Sequence, residues 1–334
     1  MTKEDVENAL EVAKKSMKGS ISMGDAPELI LQKVPFNIPV LDNLLKGGLK
    51  RKGMHIFTGA FSTCKSFLAQ KAIASVQSRG GGAVYIDTER RFDPDWFTLS
   101  GVNIKDLIVA TPLHGEEAVD VAINFLEAEI DLVVFDSFAA LIPIEEYEEG
   151  MEQKFIGLQA RMLNKAIKKM IPANTNSVVI ATNQTRADIG SHFNAGIQEN
   201  LVGGKGQYYE ASLILQTRRR GWLTETKEGK IVENEKASKD TKKVGFVVEC
   251  FLQKCNYAPP FTFCQIPFNF YKGALDNVAA IIDLAVDSGK IIQKGPWYKY
   301  KEEKFMGRQA VVDFFEKPEN QEAFETLKSE IINS

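Results

Sequence analysis

Short apolar runs alternate along this chain with longer stretches whose apolar residues fall three and four apart. That alternation predicts strands joined by crossover helices in an α/β sheet. The runs "GMHIFTG" (53–59), "AVYID" (83–87), "LIVAT" (107–111), "LVVFD" (132–136), "SVVIAT" (177–182), "SLILQT" (212–217) and "GFVVECFLQK" (245–254) predict strands. Between them "KSFLAQKAIASVQSRG", "GEEAVDVAINFLEAE" and "IGLQARMLNKAIKKMI" predict amphipathic helices, the first stopping at Gly80. Residues 224–243, "TETKEGKIVENEKASKDTKK", are almost wholly polar and interrupt the core pattern, which predicts a long exposed hairpin or a disordered loop. From Gly273 the pattern turns helical, "WYKYKEE" predicts a small hairpin, and a separate C-terminal subdomain follows over 273–334. The start, "MTKEDVENALEVAKKSMKGS", is charged and helical in pattern, and no internal repeat or low-complexity tract interrupts the chain.

Composition narrows the class. With 334 residues, 44% hydrophobic and 25% charged, the chain can bury a large core, and no apolar run reaches the ~18 residues of a membrane span. The charged start lacks the apolar region of a secretory signal, so a cytoplasmic protein is expected. Cys64, Cys250, Cys255 and Cys264 match neither a zinc spacing nor a disulfide scaffold and read as free thiols. The net charge of -3 argues against coating nucleic acid by bulk charge, while a local basic surface stays open.

Candidate chemistry begins at residues 59–66, "GAFSTCKS". A phosphate-binding loop is written G-x-x-x-x-G-K-[ST]; Gly59, Lys65 and Ser66 keep that spacing, and Cys64 stands at the second glycine. Such a loop works because successive backbone N–H groups and a helix N-terminus surround phosphates, the lysine reaches the β and γ groups, and the hydroxyl meets Mg²⁺. Its setting between a strand and a helix pattern is the one it requires, although a chance match to the loop alone is the competing reading. The run "IDLVVFDS" ends in Asp136, either a carboxylate that orients Mg²⁺ or an ordinary strand-end aspartate. In "GAVYIDTER", Glu89 stands where a carboxylate can polarise an attacking water, or where a solvated loop residue would sit.

These pieces resemble the RecA recombinases in order and spacing, and among them the phage recombinases of the UvsX type. The resemblance runs from about residue 35 to the C-terminus through "YIDTERRFDPDWFTLSGVN", "VVFDSFAALIP", "GLQARMLNKAIKK", "ATNQTR", the "GG" before "YYEASL", and "YAPPF". It implies that Gly59, Ala60, Phe61, Ser62, Thr63, Cys64, Lys65 and Ser66 hold ATP, with Ser66 and Asp136 at Mg²⁺ and Glu89 activating the water. Asp93 and Trp96 match adenine contacts, the tryptophan standing where a tyrosine is usual; a capping aspartate and a core aromatic are the alternative. Gln184 matches the residue that senses the γ-phosphate and links it to a DNA loop at 187–202, which runs into Gly203 and Gly204. Within it Ile189 and Phe193 match apolar residues that insert between bases, against the alternative of a loop residue packed on the core. A first DNA loop would lie at 146–155, with Arg161, Lys168 and Arg186 as phosphate partners, the first two being otherwise solvated helix charges.

Cys64 in place of glycine is a trait shared with the UvsX-type proteins, and calls for an ordinary φ with the thiol turned away from the phosphates. Lys254 matches one of two lysines that reach a neighbouring subunit's nucleotide; the second falls on Asn256. The implied architecture is an oligomerisation arm (1–34), a RecA-type P-loop core with a mostly parallel sheet (35–272) and a small C-terminal α/β domain (273–334). The implied activity is an ATP- and Mg²⁺-dependent strand exchange between single-stranded DNA and a homologous duplex, carried out by a helical filament of this chain. Mediator and single-strand-binding proteins would be partners. A ring-shaped motor of the same core, such as a helicase, and an ATP-binding filament protein without hydrolysis are the alternatives.

Overall fold

Every residue of Gly53–Gly59 (β1) is buried, as a strand covered on both faces must be. The computed structural model describes residues 2–17, 21–30, 32–149, 157–186, 200–225, 231–234, 242–274 and 277–332. By its contacts the chain divides into two units, Met1–Gln32 and Lys33–Ser334. In the first, helix α1 (Lys3–Ser16) starts on a reciprocal cap: the Asp5 N–H donates to Thr2 Oγ1 at 3.2 Å and the Thr2 N–H to the Asp5 carboxylate at 2.6 Å. None of its residues is buried.

In the second unit, helices α2 (Pro39–Leu44) and α3 (Lys65–Gln77) flank β1 in sequence. Then β2 (Ala83–Asp87), α4 (Pro94–Leu99), β3 (Leu107–Ala110), α5 (Gly115–Glu127) and β4 (Leu132–Asp136) alternate. They are followed by α6 (Ile144–Glu148), α7 (Leu158–Ala173), β5 (Val178–Thr182) and α8 (Gly206–Glu210). The long strands β6 (Leu213–Glu225) and β8 (Lys243–Cys255) enclose the short β7 (Ile231–Asn234), and β9 (Phe263–Asn269) and β10 (Gly273–Ala274) complete the sheet. Its order is β10-β9-β8-β6-β1-β5-β4-β2-β3, with β7 on β6. From β6 to β3 all neighbours are parallel; β6, β7, β8, β9 and β10 pair antiparallel. The carboxyl ends of β1, β2, β4 and β5 therefore open on one edge, where an α/β sheet binds its ligands.

The strands expected at 83–87 and 132–136 end where the apolar runs end. Those expected at 212–217 and 245–254 run farther, to Glu225 and from Lys243, because the exposed Arg218, Arg219 and Arg220 lie on a ribbon that extends beyond the layered core. The polar segment 224–243 accordingly contributes strand residues at both ends, and Ile231–Asn234 pair with Trp222–Glu225 as a hairpin.

Buried residues form two main clusters, one on each side of the sheet. One packs α5 and α7 on the sheet through Ala118, Leu126, Leu163 and Ile167. The other gathers Phe57, Phe67 and Leu215 with residues of three C-terminal helices, α9 (Val278–Asp287), α10 (Arg308–Phe315) and α11 (Gln321–Ile332). The segment expected as a separate subdomain does form its own three-stranded sheet, Ile292–Lys294, Trp297–Tyr300 and Glu303–Met306, yet its helices share that core. Among the described residues no helix is long and apolar enough to cross a membrane.

The entry into this core is tied by Asp42, whose carboxylate accepts the Phe36 N–H at 2.6 Å and the Ile38 N–H at 3.0 Å. Burial raises its pKa to about 6, against the lowering effect of those bonds and of Arg79. The folded value lies above the ordinary 3.8, so the folded chain holds the extra proton between those pH values. Stability from this group is present below pH 4 and falls by about 3 kcal/mol as pH rises to 6. Asp42→Asn should cancel that slope: the unfolding free energy of the variant relative to the parent rises between pH 4 and 6 and is flat above. A relative stability independent of pH would contradict the assignment.

Candidate nucleotide-binding site and DNA-facing residues

The loop between β1 and α3 carries three residues at positive φ, Gly59 (+142°), Ser62 (+54°) and Cys64 (+70°), so the backbone winds into a concave turn ahead of the helix N-terminus. At Gly59 a Cβ would lie 2.3 Å from the Thr217 carbonyl oxygen, and only glycine fits. Thr63 Oγ1 donates to the Ala60 carbonyl at 2.8 Å and lies 2.7 Å from Thr217 Oγ1, which fastens the loop to β6. Ala60, Phe61 and Ser62 face outward, Phe61 being 87% exposed. Lys65 Nζ donates to the Gly59 carbonyl at 3.0 Å and the Ala60 carbonyl at 2.7 Å, holding the loop in shape. Burial lowers its pKa, and Asp136 and Glu89 pull it back up.

Cys64 does not take the ordinary φ expected of it: it caps α3 in the left-handed region at φ +70°, ψ +19°. The turn demands that conformation whichever residue stands there, so the cysteine carries a strain that glycine would lack. Its side chain packs against the main core cluster, and burial, with Cys250 nearby, pushes the thiol's pKa well up.

Asp136 is buried at the end of β4. It accepts from Tyr85 Oη at 2.6 Å, from Thr182 Oγ1 at 2.5 Å and from the Ser66 side chain. Burial raises its pKa and those bonds oppose the rise. Beside it the peptide between Asp136 and Ser137 is cis. Ser137 Oγ donates to Glu89 at 2.6 Å, and Arg91 meets the other Glu89 oxygen at 3.0 Å. The Ser137 N–H donates to Thr88 Oγ1 at 2.7 Å, lacing the ends of β2 and β4 together.

Two cavities lie along this edge. One, of about 300 Å³, is lined by residues 62–67, Trp96, Phe246, Phe268 and Phe270. The other, of about 280 Å³, is lined by Glu89, Arg91, Ala139, Ala140, Gln184 and Val202. The structure thus brings the loop and Trp96 together, and separately Glu89 and Gln184. Trp96 is not a core aromatic: it is 37% exposed, its ring 6.3 Å from those of Phe67 and Phe268. Asp93 caps α4, accepting the N–H groups of Asp95 at 3.0 Å and Trp96 at 3.2 Å, and lines neither cavity.

Of the residues expected to meet DNA phosphates, Arg161 and Lys168 are exposed seven residues apart on one face of α7. Arg186 lies in a two-residue ladder, Thr185–Arg186 against Asn200–Leu201. Ile189 and Phe193 lie outside the described residues, as do 150–155 of the first expected loop, whose residues Glu146–Glu148 belong to α6. Gly203 and Gly204 have positive φ, and a Cβ on Gly203 would sit 2.2 Å from Leu163 Cδ1, so these glycines serve close approach to α7. Lys254 Nζ donates to the carbonyls of Tyr208 at 2.6 Å and Tyr209 at 2.9 Å, at the end of α8.

Comparison with known proteins adds the deciding observation: the family model of the RecA N-terminal domain matches residues 4–274 and that of the RecA C-terminal domain residues 279–334. The chain belongs to the RecA family. Protein RecA of Picosynechococcus sp. is 34% identical over 316 residues, 93% of this chain and 86% of its own length. Protein RecA of Gloeothece citriformis is 34% identical over 304 residues, 90% and 81%, and that of a Nostoc sp. 32% identical over 319 residues, 94% and 84%. Membership assigns the chain to the recombinase ATPases that act on DNA.

Several residues of this RecA-family site escaped the sequence. Tyr85 and Thr182 sit inside strand runs, and only the parallel pairing of β2, β4 and β5 turns them toward Asp136. Phe246 and Phe268 on β8 and β9, and Phe270 just past β9, reach the loop from about 180 to 205 residues away in sequence, with no local signal. Among the described residues no group of three His, Cys, Asp or Glu side chains is placed to hold a metal ion.

Asp136→Asn should leave the unliganded fold within about 1 kcal/mol of the parent or more stable, because it removes a buried charge and keeps an acceptor. The same variant should weaken magnesium-dependent nucleotide binding about tenfold or more. A large loss of stability, or unchanged binding, contradicts this reading. For Cys64, peptide mass mapping should find slow alkylation with or without ATP; fast modification blocked by ATP would place the thiol at the phosphates.

Proposed function

We propose that the chain is an ATP-dependent DNA strand-exchange recombinase that assembles as a helical filament on single-stranded DNA and pairs it with a homologous duplex. The observation that carries this reading is the meeting of a phosphate loop, Asp136 and Glu89 at one sheet edge, with Gln184 across a cavity from Glu89 and immediately ahead of the 187–202 segment. ATP fits the loop because Gly59 lets the backbone approach closely and Lys65 supplies a mobile cation. A divalent cation such as Mg²⁺ fits a Ser66 hydroxyl beside a buried carboxylate whose raised pKa a positive charge would reverse; it would neutralise charge developing on the phosphates.

The chain's own residues then divide the work. Lys65 leaves the loop carbonyls for the phosphate oxygens, Glu89 holds and polarises the attacking water, and Ser137 and Arg91 keep its carboxylate aimed. Gln184 reports phosphate occupancy to the segment that follows it. Trp96 and the phenylalanine wall receive the base, with Asp93 fixing the helix that presents the tryptophan. Arg161, Lys168 and Arg186 meet phosphates of DNA, and Ile189 and Phe193 separate its bases. Lys254 reaches the nucleotide of a neighbouring copy. Helix α1, which buries no residue, is the arm through which copies join. Mediator and single-strand-binding proteins would assist loading. Cys64 at the loop glycine favours a phage recombinase, active in the host cytoplasm. A ring motor is disfavoured by the family match over 279–334, and a non-hydrolysing filament protein by the retention of Lys65, Glu89 and Gln184.

The test is a strand-exchange assay between circular single-stranded and homologous linear DNA, run with ATP hydrolysis in parallel. The parent should exchange strands and hydrolyse ATP when DNA is added. Glu89→Gln should keep nucleotide and DNA binding while hydrolysis falls about 100-fold or more, the range of a lost general base; Lys65→Ala should lose nucleotide binding. Parent protein without exchange, or Glu89→Gln hydrolysing as the parent does, contradicts the proposal.

A further inference from the structure

Two buried side-chain amides, Asn183 at the end of β5 and Gln207 in α8, face each other behind the Gln184 cavity, and each is 0% exposed. Asn183 Nδ2 donates to Gln207 Oε1 at 2.8 Å and to the Val202 carbonyl at 2.9 Å; Gln207 Nε2 donates to the same carbonyl at 2.7 Å. Asn183 Oδ1 accepts the N–H of Gln184 at 2.8 Å, and the Val202 N–H donates to the Gln184 carbonyl at 3.3 Å. The Asn183 N–H donates to the Phe57 carbonyl at 2.8 Å, on the strand that leads into the phosphate loop. Three of these six bonds join the departing end of the segment, 183–184, to the returning end, 202–207; the other three brace each end internally or tie Asn183 to β1. A buried amide that loses its partner costs about 1–3 kcal/mol, so the two ends are held as one body.

We propose that the Asn183–Gln207 amide pair is a positioning device that makes Gln184 and α8 move together. Occupancy of the Gln184 cavity is thereby passed to the end of α8, where Lys254 is held. Resting on the reading of Gln184 as phosphate sensor given above, the proposal adds the physical link from that sensor to the lysine that serves a neighbouring copy. The returning end lies close against α7, where a Cβ on Gly203 would meet Leu163 and one on Gly204 would lie 3.1 Å from Ala160 Cβ. On this proposal a shift of Gln184 displaces Val202 and Gln207 rather than being absorbed between them. At the far end of α8 the carbonyls of Tyr208 and Tyr209 hold Lys254 Nζ, so a displaced helix releases or re-aims that cation.

Gln207→Met removes the amide at nearly constant volume, with Gln207→Leu as a second variant should the first fail to fold. Two readouts are taken on the full chain. Hydrogen exchange is followed in peptides covering 183–186 and 200–210, with and without a slowly hydrolysed ATP analogue. In the parent the analogue should slow exchange in both; in Gln207→Met it should slow exchange in 183–186 alone, with nucleotide affinity within about twofold. In the second readout, the stimulation of ATP hydrolysis by single-stranded DNA should fall about tenfold, a usual coupling magnitude, and Gln207→Met in a Gln184→Ala background should add nothing further. Protection of both peptides in the variant, or losses that add to those of Gln184→Ala, would overturn the device. A parent without DNA-stimulated hydrolysis would count against the proposed function alone, because the exchange readout requires only nucleotide.

Discussion

The carboxylate of Asp136 accepts hydrogen bonds from three hydroxyls that come from three different elements: Tyr85 on β2, Thr182 on β5 and Ser66 on α3. It is buried, and burial alone would drive it to its neutral form; the hydroxyls compensate in part, and a cation would complete the compensation. Much of the site depends on this arrangement. It fixes the end of β4 against both neighbouring strands and sets the first turn of α3 relative to them. Through Ser137, the next residue, it also decides where Glu89 points. The three hydroxyls satisfy the Asp136 charge only in part, an electrostatic demand that a bound cation would meet.

That demand is coupled outward by backbone geometry. The loop ahead of α3 keeps positive φ at a cysteine, and the parallel strand beside it holds the preceding Thr63 through Thr217. The sheet edge that carries Asp136 and Glu89 and the two ends of the segment that follows Gln184 meet at the Asn183–Gln207 amides, so the proposed coupling of nucleotide to DNA needs no long path.

The sequence was most legible where physical causes are local. Strands β2 and β4 end at the residues where their apolar runs end, and Lys65 begins its helix as the loop spacing requires. It was less legible where the cause lies in pairing. Strand β6 continues past Thr217 to Glu225 because β8 pairs with it on both sides of a bulge at Arg220–Gly221, over a ribbon whose exposed Arg218, Arg219 and Arg220 show no hydrophobic period. The amide pair was invisible because 24 residues separate Asn183 from Gln207, and neither residue type announces burial. Cys64 was misjudged in φ because a residue's type records a preference, while the conformation was imposed by the turn. The phenylalanine wall beside Trp96 arises only when β8 and β9 fold onto α3.

The central claim is that one nucleotide site, completed between copies of this chain, organises DNA into an exchange-competent filament. Electron microscopy of the full chain with single-stranded DNA and a slowly hydrolysed ATP analogue tests it most directly. The account predicts continuous helical filaments that follow the DNA and are lost when the analogue is omitted. Closed rings, or isolated monomers on the DNA under the same conditions, would contradict it.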